Sequence, residues 1–252
     1  MTDRSQPVAA TAVVLSQALQ STQSCEAPPQ HLPFWSTQSR KNRHRVTKQH
    51  TPFQQNCSIV WCDATGEAAV IDPGGELPRL LGAADERGLH LKAIWLTHAH
   101  IDHAGGTAQL ASEQGLPIIG PHVGDQFWID GLAQQSRMFG FPPAQPFTPD
   151  CWLEDGDTVQ IGQEMLAVRH CPGHTPGHVV FHSAAAQRVF VGDVLFAGSI
   201  GRTDFPGGNH AQLLDAIRTR LWPMGDDTVF IPGHGPESTL GHERRTNPYV
   251  AR

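Results

Sequence analysis

The segment Trp95-Leu-Thr-His98-Ala-His100-Ile-Asp102-His103-Ala-Gly-Gly106 sets four metal-ligand residue types within six positions. Zinc takes neutral imidazole nitrogen and carboxylate oxygen, so this is donor chemistry for a transition metal. Alternate residues of an extended segment point to one side. His98 and His100 can therefore face one ion, while Asp102 and His103, beyond the bend, can face a second. Three further segments each place ligand types in a glycine-flanked loop after an apolar run: Cys171-Pro-Gly-His174-Thr-Pro-Gly-His178, Val191-Gly-Asp193 and Ile231-Pro-Gly-His234-Gly-Pro236. Glycine lets backbone approach a buried ion closely. A single histidine among the 15 present is more often solvated or packed than a ligand, and His90, His122, His182, His210 and His242 are assigned no role. The cluster is different, because burying that many unpaired polar groups costs several kcal/mol unless a metal satisfies them. Nothing marks Cys171 as an activated nucleophile, and it reads as packing.

Loops of this kind must be held at strand ends, where sites gather in α/β proteins. The residue pattern predicts such strands at 57–62, 68–71, 91–96, 158–161, 165–169, 179–181, 189–191 and, last, 229–231. Helices are predicted over Leu77–Ala84, 106–114 and Leu213–Leu221, from apolar recurrence and glycine or proline stops. The stretch 123–141 is ambiguous. Phe127, Trp128, Leu132, Met138 and Phe139 fit a helical hairpin or an insertion that covers the site, with apolar packing onto the domain the safer reading.

In their order, HxHxDH, PGHTPGH, GD and PGHG, these motifs resemble the metallo-β-lactamase superfamily over residues from about 51 to 252. The resemblance implies an α/β fold, the four-layer αββα sandwich. It also implies a metal pair, with His98, His100 and His174 on the first ion, Asp102, His103 and His234 on the second, and Asp193 bridging. Asp72 of Val-Ile-Asp-Pro-Gly matches an early aspartate of the superfamily that orients a ligating histidine. Zinc is the expected metal, with iron or manganese acceptable to the same ligands. Paired ions can share a hydroxide nucleophile at neutral pH, with Asp102 placed to orient it.

Within the superfamily, Thr51-Pro-Phe-Gln-Gln-Asn-Cys57, Gly192-Asp-Val-Leu-Phe196, Gly201-Arg-Thr-Asp-Phe-Pro-Gly-Gly208 and Glu243-Arg-Arg-Thr-Asn-Pro248 resemble the short glyoxalase II-like branch. The implied reaction is hydrolysis of a glutathione thioester such as S-lactoylglutathione. A thiol of pKa near about 8.5 leaves without a dedicated general acid. Full-length glyoxalase II carries a C-terminal helical domain that holds glutathione, whereas 18 residues follow His234 here and Tyr249 is the sole tyrosine. Arg202 is the candidate for a substrate carboxylate; a loop salt bridge to a residue such as Asp204 is an equally good use of it. A persulfide dioxygenase-like enzyme with one iron on His98, His174 and Asp193 is an alternative, and it shares the Gly201–Phe205 stretch. Against it stand Pro232-Gly-His234-Gly and Ala104-Gly-Gly106, which follow the hydrolase pattern. A lactonase or β-lactamase is a second alternative, weakened by Asp193 where many β-lactamases have cysteine or histidine. A metal-stabilised interaction module is the non-enzyme alternative.

The composition sets outer bounds. A net charge of -6 over 252 residues argues against a nucleic-acid partner, and no apolar run is long enough to span a bilayer. Residues 1–48, rich in Ser, Thr and Gln and ending in a basic cluster, read as a disordered extension before a domain over 49–252. Five scattered cysteines read as free thiols in a reducing, cytoplasmic compartment. The expected partner is a small-molecule thioester, and the expected assembly is a monomer or small homo-oligomer.

Overall fold

The computed structural model describes the backbone of residues 45–50 and the chain over residues 54–251. The first sheet has five strands in the order β1 (Arg45–His50), β2 (Asn56–Trp61), β3 (Glu67–Ile71), β4 (His90–Trp95) and β5 (Ile118–Ile119). β1 to β3 are antiparallel and β3 to β5 parallel. β1 takes in Arg45 to Lys48 of the basic stretch read as extension; residues 1–44 of that reading lie outside the described residues.

Parallel neighbours need crossovers. Helix α1 (Leu77–Asp85) joins β3 to β4, and α2 (Ile101–Ala104) with α3 (Thr107–Gln114) joins β4 to β5. The ambiguous stretch forms two short helices, α4 (Gln126–Asp130) and α5 (Leu132–Phe139).

The second sheet pairs β6 (Thr158–Ile161), β7 (Glu164–His170), β8 (Val179–Ser183) and β9 (Arg188–Gly192) in sequence. Beyond β9 lie β12 (Val229–Pro232) and β13 (Ser238–Thr239). A small hairpin, β10 (Leu195–Phe196) with β11 (Ser199–Ile200), and α6 (His210–Ala216) precede β12; α7 (Leu240–Thr246) follows β13. The helix predicted to reach Leu221 continues past α6 as a π-helical turn over Ile217–Leu221.

Strand alternation sorts the side chains into three apolar layers. Ile59, Val70, Ile94 and Leu96 pack outward against Leu80 of α1, Leu110 of α3, Ile129 of α4 and Leu132 of α5. Val60, Ala69 and Trp95 meet Val168, Phe181 and Phe190 between the sheets. Val189, Val191 and Phe230 face Leu213 of α6 and Leu240 of α7. The result is the four-layer αββα sandwich, with both sheets buried on both faces. Cys57, Cys62 and Cys171 are buried free thiols. Cys151 departs from the free-thiol expectation, being disulfide-bonded, and Cys25 lies outside the described residues. Among the described residues no helix is long and apolar enough to cross a membrane.

Candidate metal centre

Every predicted ligand stands just beyond a strand: His98 and His100 in the loop after β4, Asp102 and His103 in the short helix α2 that follows it, His174 between β7 and β8, Asp193 after β9, and His234 after β12. These strands lie in different sheets, and stacking the sheets brings their ends together. The donor atoms of His98, His100 and His174 fall within 4.8 Å of one another, and so do those of Asp102, His103 and His234. Asp193 lies between the two sets. Its Oδ1 is 3.3 Å from His103 Nε2, and its Oδ2 is 3.6 Å from His174 Nε2 and 3.7 Å from His234 Nε2. The side chains thus gather as two donor sets with a carboxylate oxygen of Asp193 within 4 Å of a histidine in each.

A metal fits this donor set. The Nε2 atoms of His98, His100 and His103 and the Oδ1 of Asp193 are buried without a hydrogen-bond partner, which is costly for polar groups unless something else satisfies them. The Nδ1 atoms of His98, His103 and His174 are committed to partners outside the centre, whereas His100 Nδ1 faces His174 Nε2 at 2.9 Å within the first set. Thr97 donates its hydroxyl to Asp72 Oδ2 at 2.7 Å and so accepts the Nδ1–H of His98 at 3.0 Å. Asp72 Oδ2 also accepts the Nδ1–H of His103, at 3.0 Å. His174 Nδ1 donates to the Arg202 carbonyl at 2.8 Å. Each bond turns an Nε2 lone pair toward the centre. Asp72 reaches this position with φ 53, a left-handed backbone that aspartate tolerates better than most residues.

The electrostatics divide along the same line. Burial pushes His98 and His174 down, and pushes His100 down to about 3 with help from His174. The first set is thus neutral imidazole, the form that binds metal. At His103 burial opposes charge, but Asp193 and Asp102 override it and hold the ring well above the usual imidazole value. His234 is raised in the same way by its 3.0 Å contact with Asp102. Burial opposes charge on Asp102 and Asp193 too, and His103 holds both carboxyls below the usual range. Space is equally constrained. A Cβ on Gly233 would collide with Asp193 Oδ1 and the His103 ring, so only glycine fits there.

Three supporting residues were not singled out from the sequence as holding the site. His178 stacks on His98 at 4.7 Å and accepts the backbone N–H of Asp193 at 3.0 Å. Thr97 is described above. Asp125, at the start of α4, accepts from Ala99 N–H at 3.0 Å, the Thr175 hydroxyl at 2.8 Å and Gly177 N–H at 2.6 Å, tying the first ligand loop to the loop of His174. The second histidine of PGHTPGH was the one signal for His178; nothing local signals Asp125. Arg202 lines the site, but Asp204 grips its guanidinium at 2.7 and 2.6 Å, and the group lies 4.1 Å over the Phe205 ring. The loop salt bridge weighed as its other use is thus formed.

A cavity of about 530 Å³ opens over both sets, a size suited to a small-molecule substrate. Residues 50–234 match the family model described as the metallo-beta-lactamase superfamily. The chain belongs to that superfamily. It is 44% identical over 201 residues to the hydroxyacylglutathione hydrolase GloC of Haemophilus influenzae, covering 79% of this chain and 94% of that one. Among solved structures, BLEG-1, described as a B3 metallo-beta-lactamase, superposes with a TM-score of 0.76 at 34% identity, covering 82% of this chain and all of that one. TTHA1623 in a di-iron-bound form gives a TM-score of 0.74 at 38% identity, with coverage of 82% and 100%.

Proposed function

We propose that this metallo-hydrolase cleaves glutathione thioesters of the hydroxyacyl class, S-lactoylglutathione among them, at a centre of two divalent ions. The observation that carries the reading is Asp193 set between two three-residue donor sets. The similarity to GloC supports the substrate class. Zinc is the expected metal; the di-iron neighbour keeps iron in play.

When bound, the ions supply Lewis acidity that polarises a carbonyl and activates water. The chain's own residues do the rest. His98, His100 and His174 would hold one ion, Asp102, His103 and His234 the other, with Asp193 shared. Asp102 lines the cavity and is partly exposed, so its carboxylate can accept a hydrogen bond from an attacking water. Water's oxygen bonds to the acyl carbon and the C–S bond breaks with its electron pair on sulfur; of water's two protons, one reaches the thiolate after its release and the other is lost to solvent as the carboxylic acid ionises. The thiol leaves as thiolate at little cost. Trp128 lines one side of the cavity.

The test is a substrate panel on one purified sample whose metal content is measured alongside. Thioester turnover with about two ions per chain supports the reading. One iron per chain with oxygen uptake on glutathione persulfide would favour the dioxygenase alternative. Nitrocefin turnover exceeding thioester turnover would favour a β-lactamase, the activity in the description of BLEG-1.

A further inference from the structure

Apart from the candidate ligands, half of the residues that line the cavity are aromatic. Trp128 stands edge-on to the His100 ring at 4.5 Å, and Phe205 does so at 5.3 Å. Phe139 continues this wall outward from Phe205, their centroids 6.2 Å apart. Phe196 lies on the opposite side, 6.2 Å from His234. The wall on the His100 side therefore abuts the first donor set, while its outer end reaches solvent: Phe139 is 44% exposed.

Two polar side chains of the cavity, Gln135 and Arg202, are engaged elsewhere. Gln135 accepts the Ile101 N–H at 3.0 Å and donates to the Trp128 carbonyl at 2.8 Å, which pins α5 to α2 and α4. Arg202 is the one cation among the described residues lining the cavity, apart from histidine, and Asp204 neutralises it. A glutathionyl group carries two carboxylates and an ammonium. Burying them against aromatic rings would forfeit their hydration with no charge to replace it. That half of the substrate is suited to the open mouth. The group on the other side of the carbonyl must then lie along the aromatic wall.

We infer that the wall of Trp128, Phe205 and Phe139 is an acyl-group subsite that selects thioesters bearing a bulky apolar, aryl-type acyl group over the small lactoyl group. The inference rests on the thioester reading and sharpens its substrate class. A phenyl ring attached one carbon from the carbonyl reaches rings that stand against His100, and it gains offset or edge contacts there. A methyl group at the same place leaves the wall bare.

The experiment compares S-mandeloylglutathione with S-lactoylglutathione, which differ by phenyl for methyl and share hydroxyl and carrier. Both are assayed on one metal-loaded sample, each kcat/KM divided by the ester's own hydroxide-catalysed rate. The ratio is insensitive to the fraction of active protein. The expected ratio favours mandeloyl by at least about tenfold, a scale that apolar pocket contacts supply. Phe139→Ala lowers that ratio at least about threefold, as lost aromatic contact should. Met138→Ala, 64% exposed on the same helix and outside the cavity lining, leaves it unchanged. Lactoyl turnover equal to or better than mandeloyl turnover overturns the subsite and leaves the thioester reading standing, as does a ratio that Phe139→Ala does not move. Turnover of neither ester by protein with its ions bound overturns both.

Discussion

Asp72 Oδ2 lies 3.0 Å from His103 Nδ1, and this one bond decides which nitrogen of the ring faces the candidate centre. The same oxygen takes the Thr97 hydroxyl at 2.7 Å, and Thr97 in turn fixes His98. One carboxylate thereby orients a ligand in each donor set.

Asp72→Asn should therefore weaken both sets together. An amide nitrogen at Oδ2 would meet the His103 and Thr97 donors with another donor; an amide oxygen there would put the amide nitrogen against Thr97 N–H, which Oδ1 accepts at 2.8 Å. Metal affinity should fall by roughly 10–100-fold, the usual cost of losing such an orienting partner. Competition titration against a chromogenic chelator measures it. Unchanged affinity for both ions would remove Asp72 from this role.

Asp102→Asn separates holding a metal from catalysis. Asparagine keeps the shape but removes the charge that accepts the proton of an attacking water. Turnover should drop by about 10²-fold or more. Metal content of the variant is measured in parallel, since normal activity with both ions bound would refute the mechanism.

Asp125 carries a signed pH prediction. Burial raises its carboxyl from 3.8 to about 6, against three hydrogen bonds that favour the charge. Between those values the folded state binds a proton that the unfolded state has lost. The resulting stability is fully present below about pH 4 and is lost as pH rises through about 6, a change of about 3 kcal/mol. Asp125→Asn cannot titrate. The melting temperature of the native protein relative to the variant should therefore fall from pH 4 to pH 6 and level off above pH 7. A constant difference across that range would contradict it.

Asp125 also marks where the sequence stopped being legible. The ligands could be read because they fall in short motifs directly after apolar runs, a local pattern. Asp125 acts through contacts 26 to 52 residues away, to Ala99, Thr175 and Gly177, and no local pattern encodes them. The stretch 123–141 was ambiguous because its apolar residues serve two surfaces: Ile129 and Leu132 fill the core, while Trp128 and Phe139 wall the cavity. β5, β10, β11 and β13 are two residues each, too short to show alternation. α7 went unpredicted, though Thr239 caps it by accepting the N–H of His242 at 3.1 Å. The sandwich itself was implied by the superfamily resemblance that the order of the motifs carries.

Chelation should destabilise the protein. Without metal, three imidazole nitrogens and one carboxylate oxygen are buried and unpartnered. A ligand that binds only the folded state, present at 100 times its Kd, adds about 2.7 kcal/mol. Thermal melting with excess chelator, then with zinc, manganese or ferrous iron restored, should show a loss and a metal-ranked recovery. A melting temperature indifferent to all three would count against a resident metal.

Arg202 and Asp204 give the last prediction. Their paired contacts at 2.7 and 2.6 Å are on the surface, where such a bond contributes little to stability and is screened by salt. What the pair controls is charge at the cavity mouth. With Asp204 in place the guanidinium is neutralised and lies over Phe205, so Arg202→Ala should change kcat/KM for a glutathione thioester by less than about threefold. Asp204→Asn leaves the cation unneutralised. It should lower KM for the anionic thioester, and added salt should abolish the gain by screening it. The two single variants and the double variant form a cycle that isolates the pair. A large loss in Arg202→Ala alone would mean that the substrate displaces Asp204, restoring Arg202 as the carboxylate-binding residue.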